Sequence, residues 1–387
     1  MVGNSFGIVF RIASFGESHG ESLGVVIDGC PPGLPLSEAE IQHDLDRRRP
    51  GRNPILETAR GEPDLVRILS GVFEKKTLGS PIAMTVGNED VDSTAYERRR
   101  GKFRGSHADW TVLLKHGCYD WRGGGRLSNR ETIGRVAAGA VAKKILRIQG
   151  VQITGFVRSV GDIAAEEIDI DAIDNNYDEI GIRCPDAKAA QRMRELVLTV
   201  RKDGDSVGAV VEVVVRNLQA GLGEPVFDKL DARLAYGLMS LPAVKGVEIG
   251  GGFGLTTMRG SEAADELFLE NGKITVVPNY SGGTNGGMSN GSDLTVRVAL
   301  KPTSSIRHEK RTVCIDWDRY EETGDLEWSE TSLAMGGRHD PCVGLRAVPN
   351  VEAMVALVLC DLWLLQRQIE GWKPMMADLW ENRPDEG

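Results

Sequence analysis

From Thr132 onward the chain reads TIGRVAAGAVAKKILRI, one long helix built largely of small residues. A glycine-rich loop, Arg122-Gly123-Gly124-Gly125-Arg126, opens directly into it, and Ser128 and Glu131 have the spacing of a capping box at its start. Free amides at such a start, the positive end of the helix dipole and two framing arginines would make a seat for phosphate or carboxylate. An ordinary glycine turn before a buried helix explains the same stretch equally well, because glycine loops are weak motifs on their own. His107 and Asp109 stand a short segment ahead of the loop.

Around this helix the strands pair locally, and the helices are few and long. That pattern points to an α+β fold rather than a doubly wound parallel sheet. Residues 7–12 and 23–27 read as strands flanking a polar turn that carries Ser18 and His19. Ser37 and Glu40 form a second capping box, opening a helix that runs through Arg48 and ends at Pro50-Gly51. Its last residues, Arg47-Arg48-Arg49, suit a solvated helix end for dipole reasons, or an anionic ligand. Asp186 caps a further amphipathic helix, residues 206–216 form a β-branched central strand, and Leu230, Leu234 and Leu238 share one helix face. The run Lys301-Pro302-Thr303-Ser304-Ser305 offers a lysine, hydroxyls and amides, either a phosphate cradle or a hydroxyl-rich turn. Residues 307–335 read as a charged, irregular, exposed insertion. The last long helix spans 351–366, and residues 372–387 form a loose tail.

A net charge of -10 argues against a general nucleic-acid binder, yet local arginine clusters can still serve an anionic substrate. The six cysteines show neither CxxC pairing nor zinc spacing, so reduced thiols in a cytoplasmic protein and no metal are expected. No signal peptide and no apolar run of membrane-spanning length are read from the chain. No GxGxxG follows a strand with an acidic residue downstream, and no Walker lysine motif occurs.

Nine ordered stretches together are far more specific: GNSFG (3–7), SFGESHG (14–20), DGCPPG (28–33), DLDRRRPG (44–51), HAD (107–109), DWRGGGRLSNRET (120–132), AVKGVE (243–248), LKPTSSI (300–306) and GRHDPC…RAVP (337–349). Through them the chain resembles chorismate synthases along nearly its whole length. The resemblance implies a single domain over 1–387, a β-α-β sandwich with long central helices between two largely antiparallel sheets, assembled as a homotetramer. It implies reduced FMN as cofactor and 5-enolpyruvylshikimate 3-phosphate as substrate. The reaction is an anti-1,4-elimination of phosphate and the C6 hydrogen giving chorismate, without net redox change, the last step of the shikimate pathway. Residues matching family substrate positions are Ser18, His19, Arg48, Arg104, Arg130 and Arg338. FMN positions carry over to Arg126, Leu127, Ser128, Pro242, Ala243, Gly286, Lys301, Pro302, Thr303, Ser304, Ser305 and Arg338. His19, His107 and Asp340 match the catalytic positions; His19 would protonate the departing phosphate and His107 would serve the flavin, or the reverse. Their joint presence argues against a catalytically silent flavin-binding relative. No NADPH motif is recognisable, although self-reduction of flavin in this family need not show one. The chain departs from the family at Gly105-Ser106, Leu127, Asn129 and Pro54, where a second substrate arginine is usual and Arg52 or Arg60 is the candidate replacement.

Overall fold

The computed structural model describes residues 3–381, apart from 59–60, 90–93, 98, 271 and 336–339. Two five-stranded antiparallel sheets enclose a helical layer. The first contains β1 (Ser5–Phe6), β2 (Arg11–Gly16), β3 (Ser22–Asp28), β4 (Val66–Ile68) and β5 (Ile82–Gly87), in the order β1-β2-β3-β5-β4. The second contains β6 (Gln152–Val160), β7 (Ile163–Ala164), β8 (Ala209–Arg216), β9 (Val244–Ile249) and β10 (Leu294–Leu300), in the order β9-β10-β8-β6-β7. The β-branched strand β8 is central, pairing Val213 with Val296 on one side and Gly155 on the other.

Helix α1 (Glu38–Arg48) begins with the Ser37–Glu40 capping box; the Ser37 amide donates to Glu40 Oε2 at 3.0 Å. Helix α2 (Asp109–His116) follows the first sheet. Helix α3 (Thr132–Ile148) packs on β2, β3 and β5, and its other side meets α5 (Gly344–Glu381), which packs on β6 and β8. Helix α4 (Leu230–Met239) buries Leu230, Leu234 and Leu238 against α5 and β9. The small residues of α3 are what permit this crossing. A Cβ at Gly139 would lie 2.5 Å from the Cβ of Ala353, so no larger residue fits there without parting the helices.

Three sequence expectations change. Helix α5 starts at Gly344 and continues to Glu381, so the backbone over 372–381 is helical despite Gly371 and Pro374. Within Gly344–Trp372 an 18-residue window has a mean hydropathy of 1.7, and the helix is long and apolar enough to cross a membrane, contrary to the reading of the chain. In this fold 83% of its apolar window is buried between a sheet and a helix, which is why it is apolar all round. Residues 307–335 are not irregular. Strands Lys310–Ile315 and Trp328–Leu333 pair antiparallel around a helix, Trp317–Thr323, and Ile315 and Trp317 close a second small core with Phe103 and Leu113. A further hairpin, Glu266–Glu270 with Lys273–Val277, leaves Leu267, Phe268, Leu269 and Ile274 exposed.

Two buried carboxylates on α5 join the layers. Glu352 accepts from Arg47 of α1 at 2.6 and 2.9 Å, from Lys143 of α3 at 2.7 Å and from the Gly155 amide of β6 at 2.9 Å. Burial alone would raise its carboxyl, but the charges of Arg47 and Lys143 outweigh burial and hold it well below the usual carboxylate range. Asp361 accepts from the amides of Ile8, Val9 and Phe10 at 2.8, 2.7 and 2.9 Å and from Arg233 at 3.2 Å. Asp361→Ala would strand these amides without acceptors and leave Arg233 only the more distant Asp228 at 3.7 Å among the described residues. Chemical denaturation is expected to show a loss of about 3–5 kcal/mol; a loss below about 1 kcal/mol would show that water replaces the carboxylate at little cost.

Candidate active site

The sheet ends, the start of α3 and the start of α5 surround one cavity of about 700 Å³. It is lined by His19, His107, Asp340, Arg48, Arg104, Arg126, Leu127, Ser128 and Arg130, and by Pro242, Ala243, Lys301, Thr303, Ser304 and Ser305. Ser18 is buried directly behind His19, with its Oγ 3.0 Å from His19 Nδ1. Pro302 and Gly286 are not brought to the wall; Gly286 sits in the turn between Thr284–Asn285 and Met288–Ser289. Arg338 and Arg60 fall outside the described residues. Arg52 does not replace the missing arginine at Pro54, because its guanidinium stacks over Tyr177, 4.9 Å from the ring centroid.

Local structure explains how each group is held. The backbone N–H of Ser18 donates to the Gly125 carbonyl at 3.2 Å, tying the histidine turn to the glycine loop. Gly123 has φ +67, and a Cβ there would fall 1.9 Å from His19 Cε1, so the imidazole requires glycine beneath it. The loop itself differs from the sequence expectation. The amides of Gly125, Leu127 and Ser128 are spent on carbonyls within tight turns, so they do not form an open anion cradle. Glu131 pairs with Arg135 at 2.8 Å instead of closing a capping box. The framing arginines are also engaged: Arg122 by Asp120 at 2.9 Å, and Arg126 by the Ser14 carbonyl at 2.7 Å and Asn4 at 3.2 Å.

The positive charge comes instead from buried arginine side chains. Asp64, fully buried, bridges Arg48 (2.8 Å) and Arg130 (3.1 Å). Arg48 also donates to Thr132 Oγ1 and the Asn129 carbonyl, both at 3.1 Å. Burial pushes the Arg48 guanidinium down to about 10; Asp64 opposes this, while Arg346 and Arg130 add to it. It therefore stays charged at neutral pH. Neighbouring Arg49, 41% exposed on its side chain, pairs with Asp46 at 3.5 Å. Arg104 forks onto Asp109 at 2.8 and 2.9 Å, and its third nitrogen reaches Ser305 Oγ at 3.5 Å. Asp109 also faces His107, with Oδ1 2.5 Å from Nδ1. Burial would raise Asp109, but hydrogen bonds from His107 and Arg104 together with their charges hold it well below the usual carboxylate range. Nδ1 of His107 thus faces both Asp109 and, at 3.1 Å, Arg104 Nη2, while Nε2 is turned away from this pair.

At the start of α5, Asp340 Oδ1 accepts from the Thr58 amide at 2.9 Å, and Oδ2 lies 3.7 Å from Arg346 Nη1. Thr303 Oγ1 donates to the Asp340 carbonyl at 3.3 Å, joining the 301–305 turn to this aspartate. Lys301 is lowered by burial and by the charge of Lys245, so two cations crowd that end of the cavity. Together with the hydroxyls of 303–305 they suit a ligand phosphate, and the backbone at Ala243 reaches the wall at φ +68. Asp64 and Glu57 carry no signal in the sequence that separates them from ordinary surface charges, and Arg346, although it opens the RAVP stretch, is not among the site residues read from the sequence. Burial distinguishes all three.

A β-α-β sandwich whose cavity is walled by arginines and holds two histidines is an α+β fold with a site suited to anionic ligands. The sequence model of the family described as chorismate synthase matches residues 10–364. The chain is 53% identical over 371 residues to a protein named chorismate synthase from Rippkaea orientalis, covering 94% of this chain and 98% of that one. It is 54% identical over 366 residues to one from Gloeothece citriformis, covering 93% and 97%. A crystal structure of chorismate synthase superposes with a TM-score of 0.70 at 31% identity, covering 93% of this chain and 92% of that one. The chain belongs to the chorismate synthase family, and so to the enzymes of aromatic biosynthesis.

Glu57 gives a test of the electrostatics. Its carboxyl is pushed up to about 7, by burial first, with Asp340 adding and Arg346 opposing. A raised carboxyl binds its proton more tightly in the folded chain, so its stabilisation is present at low pH and lost as pH rises toward and through 7. Relative to Glu57→Gln, the wild type is expected to lose on the order of 1–3 kcal/mol between about pH 5 and about pH 8. Parallel stability curves for the two proteins would show that Glu57 titrates normally.

Proposed function

We propose that the chain converts 5-enolpyruvylshikimate 3-phosphate to chorismate by anti-1,4-elimination of phosphate and the C6 hydrogen, with reduced FMN and no net redox change. The observation that carries this reading is the convergence of buried arginines, His19, His107 and Asp340 on one cavity in a chain of net charge -10. A substrate with a phosphate and two carboxylates needs such a wall, and the arginines act in a site shielded from water.

The Lys301–Ser305 turn, Pro242, Ala243, Arg126 and Leu127 would hold FMN, whose reduced ring would supply electron density and a basic nitrogen beside C6. The chain's own residues do the rest. Arg48 and Arg130, braced by Asp64, bind and orient the anionic substrate. His19, oriented through Nδ1 by Ser18, presents its other nitrogen to the leaving phosphate as a general acid. His107 belongs to the cofactor side in this reading, because Arg104 touches both it and Ser305. Asp340, held by the Thr58 amide, keeps a carboxylate where the lost proton is finally taken up. The exposed apolar hairpin at 266–277 supports a homotetramer, which would cover it. A cytoplasmic location and a single domain over 1–387 belong to the same proposal, with Arg338 and Gly286 as further contacts.

The test is an anaerobic assay for chorismate with reduced FMN and the phosphorylated substrate, repeated with NADPH as sole reductant. Turnover with reduced FMN is expected; no product in either arm would sink the reading. His19→Ala, His107→Ala and Asp340→Ala are each expected to lose about 10²–10⁴-fold in turnover while remaining folded. Asp340→Asn should still bind both ligands, and near-normal turnover in it would reduce Asp340 to a turn-former. Lys301→Ala should weaken FMN more than substrate.

A further inference from the structure

We propose that Arg346 binds an oxyanion of the substrate directly, as a wall residue that none of the family-matched ligand positions includes. This assignment rests on the reading of the cavity as the site of a phosphorylated dicarboxylate. Arg346 lies in the first turn of α5, lines the cavity and is 6% exposed. Its Nε and Nη1 are buried with no hydrogen-bond acceptor among the described residues. Its one ion-pair partner there, Asp340, stands at 3.7 Å, beyond hydrogen-bond distance, and already accepts from the Thr58 amide.

The contrast with Arg48 and Arg104 makes the argument. All three nitrogens of Arg48 are engaged by Asp64, Thr132 and Asn129. Arg104 is forked onto Asp109. Arg346 alone of these three keeps unused donors inside the cavity wall. A buried guanidinium without acceptors is costly, and an incoming carboxylate or phosphate oxygen removes that cost. The charge of Arg346 also bears on Arg48, so two buried cations face one space with room for an anion.

The test uses calorimetric binding to the full chain of the substrate and of its 5-hydroxy analogue, which lacks the enolpyruvyl carboxylate. Arg346→Met is expected to weaken substrate binding about 30-fold or more and to leave FMN affinity unchanged. Arg346→Lys keeps the charge and most of the volume and so retains the fold; it is expected to lose about tenfold, because an ammonium cannot reproduce the planar fork. If the analogue is unaffected, the enolpyruvyl carboxylate is the anion bound; if it weakens equally, the phosphate or the ring carboxylate is. Either result supports the assignment. Substrate affinity within about twofold of wild type in both variants, with turnover and its pH profile altered, would overturn it and leave Arg346 acting through Asp340. Failure of the wild type to bind either compound would overturn the reading of the cavity and this assignment together.

Discussion

Glu352 is the point on which the layers depend. A carboxylate in the middle of an apolar helix is tolerable only if its charge is matched, and here Arg47, Lys143 and the Gly155 amide match it from three other elements. The hydrophobic contacts of α3 and α5 are non-directional, and they would allow these helices to slide. The ion cluster does not, because a shift of an ångström or two would leave a buried charge unpaired. It also fixes the end of α1, and the next residue along that helix is Arg48. The same turn thus sends one arginine into the core and the next into the cavity.

The cavity has a similar logic at higher cost. An acidic chain concentrates cationic groups in a small space, and each must be desolvated. Asp64 makes this possible by bridging Arg48 and Arg130, and Asp109 does the same for Arg104 and His107. These carboxylates do not cancel the field of the site. They hold planar guanidiniums in place before an anion arrives, so less conformational freedom is lost on binding. Arg346 keeps two buried nitrogens without an acceptor among the described residues, and these are the donors a ligand would complete.

Rigidity around the site is built from backbone as well as charge. Asp361 gathers the three successive amides of residues 8–10, and residues 3–6 just before them form part of the cavity wall. Gly123 lets His19 lie against the loop, and Gly139 lets α3 and α5 approach closely. In each case a position with no side chain, or one buried carboxylate, sets the distance between elements that carry functional groups.

Much of the fold was readable in the chain. Periodicity marked the capping box at Ser37, the apolar face of α4 and the central strand β8, because those signals are local and depend on residues a few positions apart. The ordered motifs pointed to the family and to most residues of the cavity wall. The sequence misjudged places where tertiary packing overrides local preference. Helix α5 passes through Gly371 and Pro374, residues 307–335 form a hairpin around their own small core, and Glu131 chooses Arg135 over a cap. Composition and pattern determined the elements and the family. Only the tertiary structure decided which charges are buried and paired. Arg47 and Glu352 are 305 positions apart, and no local pattern singles out Asp64 or Glu57. Their roles arise from desolvation, a property of the place each side chain occupies and not of its neighbours in the chain.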